Sequence, residues 1–200
     1  MIARLAPVFG IMAIGLAGCG AAPLAQAALA RLSGVNSAPV AVQAPKDGPA
    51  IMVTLASRGV KFQMRPLTRD GNVTLWAAGD FSQAAMRDGI LISTRGFGMD
   101  LMSADVPTVA DLVGGAAKHK RTHYYLDGAD TPIRRVYDCT VEPVAEDGPK
   151  AVAHHIREVC QSHIGRITNE YWIDSGLHVV KSRQWVSQGV GYATIEASDG

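Results

Sequence analysis

The chain has 200 residues, 48% of them hydrophobic, 18% charged and 6% aromatic, which suits one globular body and excludes a disordered or fibrous polymer. Lysine plus arginine number 19 against 18 for aspartate plus glutamate. There is therefore no basic excess of the kind that draws a chain to nucleic acid or to an anionic membrane surface.

Met1 to Arg4 is a minimal positive segment, and Leu5 to Leu16 is a twelve-residue apolar stretch of secretory-signal length, too short to cross a bilayer. It ends in Leu16-Ala17-Gly18-Cys19, the leucine, small, small, cysteine pattern of a bacterial lipobox, which predicts removal of 1–18 and acylation of the Cys19 thiol. The alternative is an uncleaved anchor, because Leu5 to Ala30 is a run of 26 residues without a charge, although Ala, Gly, Pro23 and Gln26 dilute its apolar character. Cleavage leaves 182 residues with 18 basic and 18 acidic side chains, a neutral body. Gly20 stands where an aspartate typically signals inner-membrane retention, so by analogy with lipoprotein sorting the expected location is the outer membrane, facing the periplasm. Several acyl chains, at about 0.8 kcal/mol per buried methylene, make such an anchor stable. Residues 19–49 are rich in Ala, Pro, Ser and Gly, carry charges only at Arg31, Lys46 and Asp47, and read as a tether with one short helix at 24–32.

From Ile51 the pattern changes to short runs of period two; Val60, Phe62 and Met64 alternate with Lys61, Gln63 and Arg65. The pairs Asp70-Gly71, Asp88-Gly89 and Asp127-Gly128, with Asp174-Ser175-Gly176, mark hairpins, since both central residues of a type I′ turn need positive φ. Strands are predicted near 51–56, 59–67, 72–78, 80–87, 90–95, 121–126, 132–143, 151–161, 164–173, 177–187 and 190–196. One helix is expected over 107–115, with Thr108 as cap, Asp111 in the first turn and Gly114-Gly115 as its stop. The body at 50–200 is thus mainly β: a single antiparallel meander curled into a half-barrel or barrel-like sandwich, with the short helix against it.

With Cys19 given to lipid, Cys139 and Cys160 form an even pair in an exported chain and read as a disulfide. A catalytic or metal-binding cysteine helped by His154, His155 or His163 is the alternative, but neither cysteine has ligand-like spacing. His119 and His123 would share a face of a helix, yet their surroundings read as strand, and no metal site is expected. Ser, His and Asp occur without a nucleophile-elbow motif.

Three stretches stand out together: Asp88 to Met102, which contains Ser93-Thr94-Arg95-Gly96-Phe97-Gly98; Asn169-Glu170-Tyr171-Trp172-Ile173-Asp174; and Lys181-Ser182-Arg183-Gln184-Trp185. In this order, with the lipobox and the cysteine pair, they resemble the YjbF family of group 4 capsule lipoproteins over about 51–196. The resemblance implies an outer-membrane lipoprotein that works beside exopolysaccharide or capsule secretion components, with a mostly β fold similar to the lipoprotein-carrier half-barrels. It implies no enzymatic activity, no cofactor and no agreed catalytic residues. The partners it implies are the membrane, through the lipid, and the exopolysaccharide or its secretion proteins.

Sugars are held by flat rings that cover C–H faces and by planar groups that satisfy hydroxyls. Trp76, Arg95, Tyr171, Trp172, Arg183, Gln184 and Trp185 are therefore the candidate glycan or partner surface. The competing reading is that these tryptophans close the core and that Val179, Lys181, Arg183 and Trp185 share one face in a partly buried cation-π stack. For Arg95, the competing reading is a strand-end turn in which it pairs with a buried acid such as Asp100. A lipid or lipoprotein carrier is the second functional expectation. A glycan-acting enzyme is the third; its nearest carboxylate pair, Glu170 with Asp174, is expected beside a turn.

Overall fold

The computed structural model describes residues 47–115, 118–145 and 152–198. The signal segment 1–18, the lipobox cysteine Cys19 and the expected helix at 24–32 lie outside those residues. Twelve strands are described: β1 Ala50–Leu55, β2 Val60–Asp70, β3 Val73–Ala77, β4 Gln83–Arg87, β5 Ile90–Arg95, β6 Ser103–Asp105, β7 His119–Leu126, β8 Pro132–Pro143, β9 His154–Ser162, β10 Gly165–Ile173, β11 Val179–Ser187 and β12 Gly191–Ser198. A 3₁₀ turn, Ala56–Arg58, follows β1, and the helix α1, Val109–Val113, lies between β6 and β7.

All strands join one sheet in the order β5-β4-β3-β2-β1-β12-β11-β10-β9-β8-β7-β6. The first and last strands pair in its middle, from Ala50↔Ser198 to Leu55↔Ala193. The two edges, β5 and β6, are consecutive in sequence, and the connection between them folds back so that Thr94 N–H donates to the Leu101 carbonyl (2.8 Å). The result is a twelve-stranded antiparallel sheet nearly closed as a barrel, an economical way to limit unpaired edge groups. Because strand direction alternates, the loops after odd-numbered strands gather at one end, here called the far end. The loops after even-numbered strands share the other end with the entry at Ala50 and the exit at Ser198.

Local chemistry explains most boundaries. The helix has the capping box expected of it: the Thr108 hydroxyl accepts from Asp111 N–H, and the Asp111 carboxylate accepts from Thr108 N–H. Its buried Val109 and Leu112 pack on Ile90, Ile156, Tyr171 and Ile173. Asp88-Gly89 forms the predicted type I′ turn, with φ of 48° and 86°. The other aspartate turns correct that expectation. At Asp70-Gly71 only the glycine takes a positive φ, and at Asp127 and Asp174 the left-handed position falls to Asp130 and Leu177. There each aspartate acts by side chain instead: Asp127 Oδ1 accepts from Ala129 and Thr131 N–H, and Asp174 Oδ1 from Gly176 and His178 N–H. Strand β6 was not expected, because three residues are too few to show a period.

The larger apolar cluster includes Val53, Leu55, Met64, Leu91, Phe97 and Val186; full burial of each such side chain contributes about 1.5–3 kcal/mol. Gly96 and Gly98, with φ of 81° and 122°, turn the chain so that Phe97 enters this cluster and meets Phe62 edge-on at 5.6 Å. Cys139 and Cys160 face each other across β8 and β9 and form the expected disulfide.

Candidate functional site

Period two places His119, Arg121, His123 and Tyr125 on one face of β7, and that face is interior. The two histidines therefore share a strand face, with Arg121 between them. Glu158 of β9 is fully buried opposite this row. Its Oε1 accepts from His119 Nε2 (2.7 Å), and its Oε2 accepts from Arg121, Asn169 Nδ2 (2.7 Å) and the Tyr171 hydroxyl (3.2 Å). Burial alone would raise the Glu158 pKa, but the Arg121 charge and these donors hold it at about 2. Arg121 Nε donates to His123 Nε2 (3.1 Å), so the His123 proton sits on Nδ1 and is donated to Tyr125 (3.0 Å), whose hydroxyl donates to the Val186 carbonyl (2.9 Å). Burial, with Arg121 beside it, pushes the His123 pKa down to about 3. His119, Cys139 and Glu158 bring donor atoms within 4.8 Å of one another, but the Cys139 sulfur is in the disulfide and Glu158 is saturated by its donors.

The candidate residues separate into three environments. Tyr171 and Gln184 are fully buried. Tyr171 belongs to the Glu158 network, and Gln184 accepts from Leu91 N–H (2.8 Å) and donates to the Gly89 carbonyl (3.0 Å), tying edge strand β5 to β11. Trp76, Trp172, Arg183 and Trp185 are half-buried. Trp172 stacks on His155 at 4.3 Å with Lys181 over its ring, Arg183 lies 3.6 Å from the Tyr192 ring, and Trp185 meets Tyr192 edge-on at 5.1 Å. Trp76 packs against the larger core cluster and lines a cavity of about 490 Å³ near α1. Arg95 is exposed, and the expected pairing with Asp100 is corrected. Asp100 is taken by Thr94 Oγ1 (2.8 Å) and by the N–H groups of Gly96 (2.8 Å) and Phe97 (3.0 Å), so it builds the turn and leaves Arg95 in water. The position of Glu170 is corrected as well. It sits within β10 and bonds Arg157 (3.2 Å), while Asp174 serves its turn.

Beyond these residues lies a feature the sequence does not announce. The β10–β11 ladder runs only from Ile173↔Val179 to Glu170↔Arg183. Toward the far end the two strands part; β10 stays with β9 down to Gly165↔Ser162, and β11 stays with β12 to Ser187↔Gly191. Side chains satisfy the backbone donors at the fork, since Trp185 N–H donates to Asn169 Oδ1 (2.8 Å) and Thr168 N–H to the Tyr192 hydroxyl (3.0 Å). A cavity of about 590 Å³ occupies the opening, with Tyr125, Tyr137, Ile167 and Trp185 among its walls and Arg135 and Arg166 beside them. Two arginines at a distance from aromatic residues in sequence gave no motif that could have flagged this site.

The family described as group 4 capsule polysaccharide lipoprotein gfcB, YjbF matches residues 21–197. Among solved structures, the hypothetical lipoprotein YmcC from Escherichia coli (K12) is similar, with a TM-score of 0.63, 15% identity, and coverage of 87% of this chain and 94% of that one. At that identity the likeness is one of fold. None of the curated proteins matches. The family match takes in the whole described barrel, with its disulfide, its Tyr-Trp strand and its Ser-Arg-Gln-Trp strand, and the chain therefore belongs to the YjbF family of group 4 capsule polysaccharide lipoproteins.

Proposed function

We propose that this protein is a non-enzymatic lipoprotein of the outer membrane, anchored through Cys19 and facing the periplasm, that assists secretion or assembly of an exopolysaccharide or capsule by contacting the polymer. Residues 1–18 are its signal peptide, 19–49 its lipidated tether and 50–200 the working body. The observation that carries this reading is the ring and cation chemistry around the terminal strands, in a family named for capsule polysaccharide. Trp172, Trp185 and Tyr192 are paired with Lys181 and Arg183 at half-buried positions, where a ring can cover a sugar face while a cation reaches its hydroxyls. Docking to a secretion component is the other route to the same role. A lipid or lipoprotein carrier is a second reading, favoured by the 590 Å³ cavity with its partly apolar walls.

Acrylamide quenching of the intrinsic fluorescence of the full-length protein, with and without the exopolysaccharide of its source cell, tests polymer contact. Quenching that the polymer relieves, with the relief lost in Trp185→Phe, is expected. Quenching that the polymer leaves unchanged removes direct contact and leaves docking. A deletion strain with unaltered extracellular polysaccharide counts against both.

A further inference from the structure

Of the charged side chains on the interior side of the barrel, Arg121 and Glu158 are matched to each other. Arg135 is not. It stands opposite His123 in the β7–β8 register, half-buried on the interior side, and among the described residues it has neither a hydrogen-bond acceptor nor a carboxylate partner. The same holds for Arg166, an exposed residue that also lines the fork cavity, and the Tyr137 hydroxyl likewise has no hydrogen-bond partner among the described residues. One carboxylate lines the cavity, that of Asp127, and it is occupied by the Ala129 and Thr131 N–H groups. Arg135 and Arg166 thus leave two guanidinium groups at one cavity with no carboxylate of the described residues to pair them, an arrangement open to an anion from outside.

We propose that the fork cavity binds an acidic sugar residue of a polysaccharide, a hexuronate, whose carboxylate is held between Arg135 and Arg166 while its ring lies against Trp185 and Tyr137. This rests on the polymer-contact reading and names its site and sugar class. The opening is built rather than frayed, because Asn169 and Tyr192 satisfy the backbone groups that the parted strands would leave bare. Its volume of about 590 Å³ lies within the range of small-ligand sites, which is about 300–1,000 Å³. The mouth is lined by Met99, Leu126 and Ile164, which are 50%, 37% and 48% exposed, and such apolar groups suit the C–H edges of a pyranose. Guanidinium binds carboxylate through paired, planar hydrogen bonds. An acyl chain would cover the same walls but leave Arg135 and the Tyr137 hydroxyl unmatched, so the sugar acid is the better complement.

The test uses the full-length protein in lipid nanodiscs, titrated with hexameric oligogalacturonate, with galacturonate monomer, with maltohexaose and with dodecyl phosphate. Oligogalacturonate is expected to bind at least about tenfold more tightly than maltohexaose, and Arg135→Gln and Arg166→Gln each to weaken it about tenfold or more without altering maltohexaose. Arg166 is exposed, so its variant tests the site without a folding question, and Arg135→Lys keeps the interior charge should Arg135→Gln unfold. Equal binding of acidic and neutral oligomers, or indifference to both substitutions, overturns the proposal. So does a monomer that binds as tightly as the hexamer, which would make the ligand a free sugar acid, or binding of dodecyl phosphate alone, which would make it an amphiphile. If oligogalacturonate fails while the native exopolysaccharide still relieves quenching, the site falls and polymer contact stands; if both fail, both readings fall.

Discussion

His123 shows at the residue scale how the interior network makes stability depend on pH. Its Nε2 accepts from Arg121, so protonation would set one N–H against another beside a fixed positive charge. Its pKa falls from 6.5 to about 3 on folding, which means the unfolded chain binds the proton first. The stabilisation from neutral His123 is therefore complete above about pH 6.5 and is lost as pH falls toward 3. Glu158 acts in the same direction but lower, between its ordinary 4.5 and about 2. Urea unfolding at pH 7 and pH 4.5 should show a loss on the order of 2 kcal/mol in the native protein, and His123→Gln should flatten that slope; an unchanged slope would assign it elsewhere. This network was not legible beforehand. Alternating His119, Arg121 and His123 have the polarity of a wet face, and it is the folding of the sheet onto itself that dries them.

At the scale of single elements, the turn at Asp88-Gly89 was readable because a steric requirement of two residues has a two-residue signature. Gly89 also carries a constraint that only packing reveals. A Cβ there would lie 2.6 Å from the Val179 Cβ, with φ at 86°. Gly89→Ala should cost about 1–3 kcal/mol by overpacking and loosen β5 from β11, whereas Gly128→Ala, with nothing within 4 Å of its Cβ, should change stability by less than about 0.5 kcal/mol. Thermal unfolding of the two variants compares them directly. The disulfide ties β8 to β9 across a sequence separation of 21, and reduction should lower stability by about 3 kcal/mol, read as a shifted urea midpoint with dithiothreitol. The parting of β10 from β11 had no such signature. Burial alternates without a break from Ile167 to Ile173 on both sides of the fork, and register with one neighbour says nothing about the other.

Across the whole molecule, the paired terminal strands place chain entry at one end of the barrel and the fork at the other. Of the seven large apolar side chains left exposed among the described residues, Val60, Phe81, Met99, Met102, Leu126 and Ile164 lie in or next to far-end loops, and Leu177 lies in the β10–β11 turn at the entry end. Cys19→Ser should move the protein from the membrane fraction to the soluble periplasmic fraction without changing its unfolding midpoint; persistence in the membrane would favour the uncleaved-anchor reading.

Period, capping chemistry and motif order are local and survive as text, so every strand but the three-residue β6, the capped helix at 109–113, the cysteine pair and the family could be read directly from the chain. Which face of each strand is dry, the interior position of Tyr171 and Gln184, the use of Asp100 to build a turn and the parting of two strands around a cavity emerge only when the sheet closes. Burial depends on what another segment covers, and in a closing sheet that segment can lie some ninety residues away, as Leu91 does from Gln184.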